Sequence, residues 1–93
     1  MRPNDPEQDP VVRDLRGRIT DADRAILAAV NERIELVSEL RAHKLAQGWE
    51  FLDSGREERL LAALAGENSG PLSDEGLRTL FTEVLALTKR ELS

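Results

Sequence analysis

Residues 11–47 read VVRDLRGRITDADRAILAAVNERIELVSELRAHKLAQ, a stretch with no proline and a single glycine. Val12, Leu15, Ile19, Ala22, Ile26, Ala29, Val30, Leu36, Val37 and Leu40 recur mostly at steps of three and four. That spacing lays an apolar seam along one side of a helix. Ahead of it, Asp9-Pro10 offers an N-cap side chain followed by proline at the first helical position, and Gly48 stands where a C-terminal cap belongs. Two features work against continuity. Gly17 costs about 1 kcal/mol relative to alanine inside a helix, and Thr20-Asp21-Ala22-Asp23 resembles a fresh helix start. The apolar register passes through both without a phase jump, so one long helix is expected. Roughly 37 residues at 1.5 Å each make a rod about 55 Å long, against a radius of gyration of about 13 Å for a compact chain of this size. Such a helix cannot bury its seam against the rest of its own chain. It needs a second one.

The seam also carries cations. Arg33 falls in register with Ile19, Ile26 and Leu40, Lys44 follows Val30 and Val37 at steps of seven, and Arg16 lies two heptads ahead of Val30. Arg33 and Lys44 are separated by about three turns, roughly 16 Å with some 20° of drift, so they look out over one side. Arg16 lies about 42 Å from Lys44 along a straight helix. It joins the same site only from an antiparallel second copy. The plainer alternative stays open at this point: Arg and Lys often edge a seam with their stems packed and their charged ends in water.

The chain has 93 residues, enough for one domain whose core is marginal as a single copy. Aromatic residues make up 3% of it, and the balance of Ala, Leu and charge suits helices. A formal charge of −5, with no basic tract, argues against nucleic acid as a partner. The absence of cysteine excludes a disulfide framework and thiolate chemistry. His43 is the only histidine, so neither a zinc site nor histidine catalysis is expected, and it reads as a surface residue. Residues 1–10 are polar and hold three of the four prolines, which reads as a flexible tail preceding a helical domain over 11–93 and not as a signal peptide. No apolar run approaches the ~20 residues of a membrane span. A cytoplasmic protein with no membrane association is the expectation.

Beyond Gly48, Trp49 and Phe51 are expected to pin the connection, Trp49 as a packing anchor. A short second helix should start near Asp53-Ser54-Gly55-Arg56-Glu57, with Asp53 or Ser54 as cap, Leu60, Leu61 and Leu64 as its apolar face, and Gly66 as its end. Capping alone would account for Asp53 and Glu57. Arg56, however, sits in a first turn where the helix dipole disfavours a cation, which makes sense if it meets a carboxylate. A third helix follows Ser73, with the stripe Leu77, Leu80, Phe81, Val84, Leu85, Thr88 and Leu92. Thr88 is its polar member, and a threonine so placed usually bonds back to a carbonyl one turn earlier. Lys89 and Arg90 are sufficiently explained by the dipole and solvent.

The fold class is therefore all-α: a three-helix protomer of one long, one short and one medium helix, paired with a second copy. Ligand sites in such bundles lie between facing helices. Arg33, Lys44, Asp53, Arg56, Glu57 and Thr88, with Arg16 from the partner, can face one cavity. Asp53 and Glu57 cannot offset four cations there, and unpaired buried charge is expensive. A dicarboxylate ligand would offset them.

The series Leu15-Arg16-x-x-Ile19-x-x-x-Asp23, then Asn31-Glu32-Arg33, then Lys44, then Asp53-x-x-Arg56-Glu57 resembles the all-helical, AroQ-type chorismate mutases, over nearly the whole chain. The resemblance implies an intertwined homodimer whose long helices pair, and the rearrangement of chorismate to prephenate in phenylalanine and tyrosine biosynthesis. It implies that Arg33 and the partner protomer's copy of Arg16 clamp one substrate carboxylate. Lys44 would bond a carboxylate and the ether oxygen of the breaking bond. Arg56 and Thr88 would hold the second carboxylate with backbone near Asp53, and Glu57 would accept from the ring hydroxyl. No cofactor or metal is implied. Leu92 departs from the pattern, because the family usually places glutamine or glutamate there as a second partner for the ether oxygen. Either a local twist recruits Glu91, or the site lacks that partner, leaving a modest catalyst alone or one whose site an activating partner enzyme completes. Two other readings remain: isochorismate pyruvate lyase, a related helical family with the same cations, and a non-catalytic helical dimerisation module.

Overall fold

The computed structural model describes residues 5–53 and 55–93. It opens with a 3-10 turn over Pro6–Gln8, capped by Asp5, whose carboxylate accepts from the Glu7 amide at 3.0 Å. Asp9 repeats the device: its Oδ1 accepts from the amides of Val11 and Val12 at 2.8 and 3.1 Å. Pro10, which has no N–H to satisfy, then begins α1, Pro10–Ala46. The helix runs unbroken through Gly17 and residues 20–23, as the register predicts. It closes with two nested bonds, Gly48 N–H to Leu45 O at 3.1 Å and Trp49 N–H to Lys44 O at 2.8 Å. That closure needs a left-handed residue, and Gly48 supplies φ 76° without the penalty of a Cβ.

Helix α2, Arg56–Glu67, begins differently from the sequence expectation. Its N-cap position is Gly55 at φ 86°, and no side chain caps the helix. Asp53 does not cap, because its carboxylate is taken by Arg59, and Ser54, the other expected cap, lies outside the described residues. Nor does Gly66 end the helix. It continues to Glu67, where Asn68 takes over, donating from Nδ2 to Leu72 O at 2.7 Å and accepting from the Gly70 amide at 2.9 Å. Helix α3, Asp74–Leu92, starts as expected, with the Ser73 hydroxyl oxygen accepting from the Gly76 amide at 3.0 Å.

The chain divides into two units, Met1–Glu32 and Arg33–Ser93, and α1 runs through the boundary. In the second unit α2 packs on α3. Leu61, Leu77 and Leu85 are buried there, with Leu60, Leu64, Phe81 and Val84 half-buried beside them. Helix α1 has no buried residue, and its seam members Leu15, Ile19, Ile26, Leu36 and Leu40 are exposed in the single chain. Trp49 is no anchor within this chain either. It is 58% exposed, with its ring edge-on to His43 at 6.0 Å between centroids. Among the described residues, no helix is long and apolar enough to cross a membrane.

Two glycines on or beside α1 should respond with opposite signs. Nothing lies within 4 Å of a methyl group built at either Gly17 or Gly48, so backbone conformation alone decides. Gly17→Ala should stabilise the helix by up to about 1 kcal/mol. Gly48→Ala should destabilise by about 1–2 kcal/mol by forcing a left-handed L-residue. Thermal unfolding followed by circular dichroism should show the first midpoint rise and the second fall by at least roughly 4 °C.

Candidate active site

Arg33 projects from α1 and Thr88 from α3, and they meet. Arg33 Nη1 donates to Thr88 Oγ1 at 2.6 Å, while the hydroxyl donates its own proton to Val84 O at 2.9 Å. A hydroxyl has one proton and two lone pairs, so the back-bond expected from sequence leaves room for the guanidinium. Thr88 is 4% exposed and is the one buried polar side chain among the described residues. Its position in the α3 stripe places a polar atom where leucine would otherwise sit, and Arg33, half-buried, follows it inward.

Lys44, also half-buried, donates from Nζ to Phe51 O at 3.3 Å. This bond ties the last turn of α1 to the connection that carries Asp53. An ammonium has three donors, so the contact leaves others for a ligand. Asp53 accepts from Arg59 Nη2 at 3.2 Å on both carboxylate oxygens, and its carbonyl accepts from the Arg56 amide at 3.2 Å. A methyl group at Gly55 would stand 3.1 Å from Arg59 Nη1, so the glycine also leaves the guanidinium room to fold over the loop.

Arg59, not Arg56, therefore meets the carboxylate of this segment. Arg56 is exposed, with no side-chain partner among the described residues. Glu57 is ion-paired with Lys89 across the α2–α3 contact. This corrects the view that dipole and solvent suffice for Lys89, and likewise for Arg90, which pairs with Glu83 at 2.7 Å. Position 92 is resolved as well. Helix α3 stays α-helical through Leu92, so Glu91 keeps its offset of about 100° and is not twisted into the place of Leu92. The Leu92 carbonyl instead accepts from Arg41 Nη1 at 2.8 Å.

Arg16 belongs to the first unit. It is exposed and gripped by Glu7, with Nη2 donating to Oε1 at 2.8 Å and Nε to Oε2 at 3.3 Å. The hydrogen bond from Arg16, and then its charge, hold the Glu7 carboxyl below the usual carboxylate range. The second unit thus joins Arg33 to Thr88 and sets Asp53, Arg56 and Glu57 along one turn, while Arg16 engages its own chain. Glu7, Arg41, Arg59 and Lys89 are participants that sequence reading missed. Only Glu7 left a local signal, since Asp5-Pro6 repeats the cap-and-proline pattern of Asp9-Pro10.

The profile of a protein family described as Chorismate mutase type II matches residues 15–91. The chain belongs to that family. The match covers most of the sequence and includes Arg16, Arg33, Lys44, Asp53, Arg56, Glu57 and Thr88, stopping one residue short of Leu92. It agrees with the three helices described above, since the chorismate mutases of type II are all-helical isomerases. Comparison with curated proteins finds no match.

The Arg33–Thr88 bond has a direct test in this chorismate mutase-family chain. Thr88→Val keeps shape but removes the acceptor of a half-buried guanidinium, and should destabilise by about 1–3 kcal/mol. Thr88→Ser keeps the oxygen and should recover most of that loss. Urea unfolding of the three proteins side by side measures both, and equal stability of the valine and serine variants would contradict the bond.

Proposed function

We propose that the chain is a chorismate mutase that works as a homodimer, each site completed by Arg16 of the second copy. The observation that carries this reading is the family match over residues 15–91, which spans every proposed site residue. The Arg33–Thr88 contact supports it, because it orients a half-buried guanidinium from α1 against α3. The uncovered seam of α1 supports the pairing of two copies.

The reaction is an intramolecular rearrangement: the ether C–O bond breaks as a C–C bond forms, with no proton or group passed to the protein. The work left to the enzyme is to fold a flexible diacid into a reactive chair and to stabilise charge gathering on the ether oxygen. Arg33 and the partner's Arg16 clamp one carboxylate, for which the planar guanidinium fork is suited. Lys44, held near the end of α1 by Phe51 O, bonds a carboxylate and the ether oxygen. Arg56, Thr88 and backbone near Asp53 hold the second carboxylate. Glu57 accepts from the ring hydroxyl, with one of its oxygens already paired to Lys89.

Leucine at position 92 contributes no hydrogen bond from its side chain. Loss of one donor to developing negative charge typically lowers rate by about 10²–10³. The isolated protein is therefore a modest catalyst, whose site is open to completion by a partner enzyme.

Following chorismate loss by ultraviolet absorbance, with products resolved as prephenate or released pyruvate, tests the reaction and separates mutase from lyase. Arg33→Ala, Lys44→Ala and Arg16→Ala should each lower kcat/KM by at least about tenfold, the scale of one lost charged contact, while circular dichroism stays helical. Unchanged turnover in all three would discard the site. Leu92→Gln should raise kcat by at least roughly tenfold by restoring a donor.

A further inference from the structure

We infer that Glu7 is a positioning residue for Arg16, setting the guanidinium so that its free edge is presented to the carboxylate of an acidic substrate. The inference rests on the proposal that Arg16 serves the second copy's site. It goes beyond that proposal in assigning a role to the segment ahead of α1, which lies outside the matched residues.

The geometry begins with the guanidinium. It is planar and carries five N–H donors on two usable edges, one formed by Nε and Nη2 and the other by Nη1 and Nη2. Glu7 occupies the first, with Nε to Oε2 at 3.3 Å and Nη2 to Oε1 at 2.8 Å. Among the described residues the second edge, the end-on fork, has no carboxylate on it and is left for another. Glu7 does not reach Arg16 from a loose strand. It sits in the 3-10 turn Pro6–Gln8, fixed on one side by the Asp5 cap and on the other by Asp9, the N-cap of α1. Two further amides close the turn, Gln8 to Asp5 O at 3.0 Å and Asp9 to Pro6 O at 3.1 Å. The carboxylate is thus tied to the same helix that carries Arg16. A glutamate carboxyl is already charged at neutral pH, and Arg16 holds this one below the usual carboxylate range.

An exposed arginine without such a partner must lose its rotamer freedom when it binds. Holding it beforehand removes that loss from the binding step. The pair itself is exposed and contributes little to folding, so its value lies in where it leaves the other edge.

The test compares Glu7→Ala, Glu7→Gln and Glu7→Asp in the full chain, with kcat, KM and unfolding midpoint measured for each. Glu7→Ala should raise KM for chorismate by roughly three- to tenfold, the scale of ordering one long side chain on binding. Its kcat and midpoint should stay near the parent's. Glu7→Asp should recover part of the loss and Glu7→Gln less. In an Arg16→Ala background, Glu7→Ala should add nothing, since the effect runs through Arg16. An unchanged KM overturns the inference. So does a lowered KM, which would make Glu7 a competitor for the same guanidinium. So does an equal effect in the Arg16→Ala background. Failure of the underlying proposal has a different signature: Arg16→Ala alone would leave KM and kcat untouched.

Discussion

Thirty-seven residues of helix carry an apolar seam of which their own chain fully buries no residue, Val12, Val30 and Val37 being half-buried at most. This is the constraint on which the rest depends. Each exposed leucine or isoleucine of that seam forgoes about 1.5–3 kcal/mol that full burial would contribute. The other two helices, of 12 and 19 residues, are each much shorter than its 37. Pairing of the long helix with another copy of itself would cover the seam and carry the cations at its edge into a shared interior. The same geometry that stabilises the molecule would therefore create its charged chamber. Arg33 and Lys44 would then belong to that chamber because they stand in seam register, and Thr88 because it is the polar member of the facing stripe.

Polar contacts in the second unit keep the cations from being merely buried charge. Arg33 rests on a hydroxyl that is itself satisfied by Val84, and Lys44 rests on the Phe51 carbonyl. Neither contact is a carboxylate, so neither neutralises its cation. Among the carboxylates, Asp53 pairs with Arg59 and Glu57 with Lys89, while Glu7 takes one edge of Arg16. Arginine and lysine close to backbone and hydroxyl oxygens are oriented but still hold net positive charge. That is a state from which a dicarboxylate would be bound under the proposed function.

Much of this was legible in the sequence where a single helix supplied the information. The limits of α1 followed from Asp9-Pro10 at one end and Gly48 at the other, and its continuity through Gly17 followed from an unbroken register. Ser73 announced α3 in the same way. The start of α2 was misread because Asp53 has the composition of a cap, whereas a loop turning through Gly55 at positive φ directs that carboxylate to Arg59. Lys89 was assigned to the dipole because a helix considered alone shows no partner, and Glu57 lies on a different helix. Arg41 reaches the end of α3 across a still longer separation of 51 residues. Contacts between helices depend on packing, which periodicity does not encode. The family assignment was accessible from sequence because its residues fall in order at fixed separations, a property of the chain and not of its packing.

The central claim is that each site draws cations from two copies of the chain, and subunit complementation tests it most directly. Arg16→Ala and Arg33→Ala variants, each weakly active alone, are unfolded together, refolded and assayed for chorismate turnover. A mixed dimer restores one complete site of its two, so random pairing should return roughly a quarter of parental activity in a two-fold symmetric assembly. Mixed dimers that form yet stay as inactive as either variant alone would contradict the account.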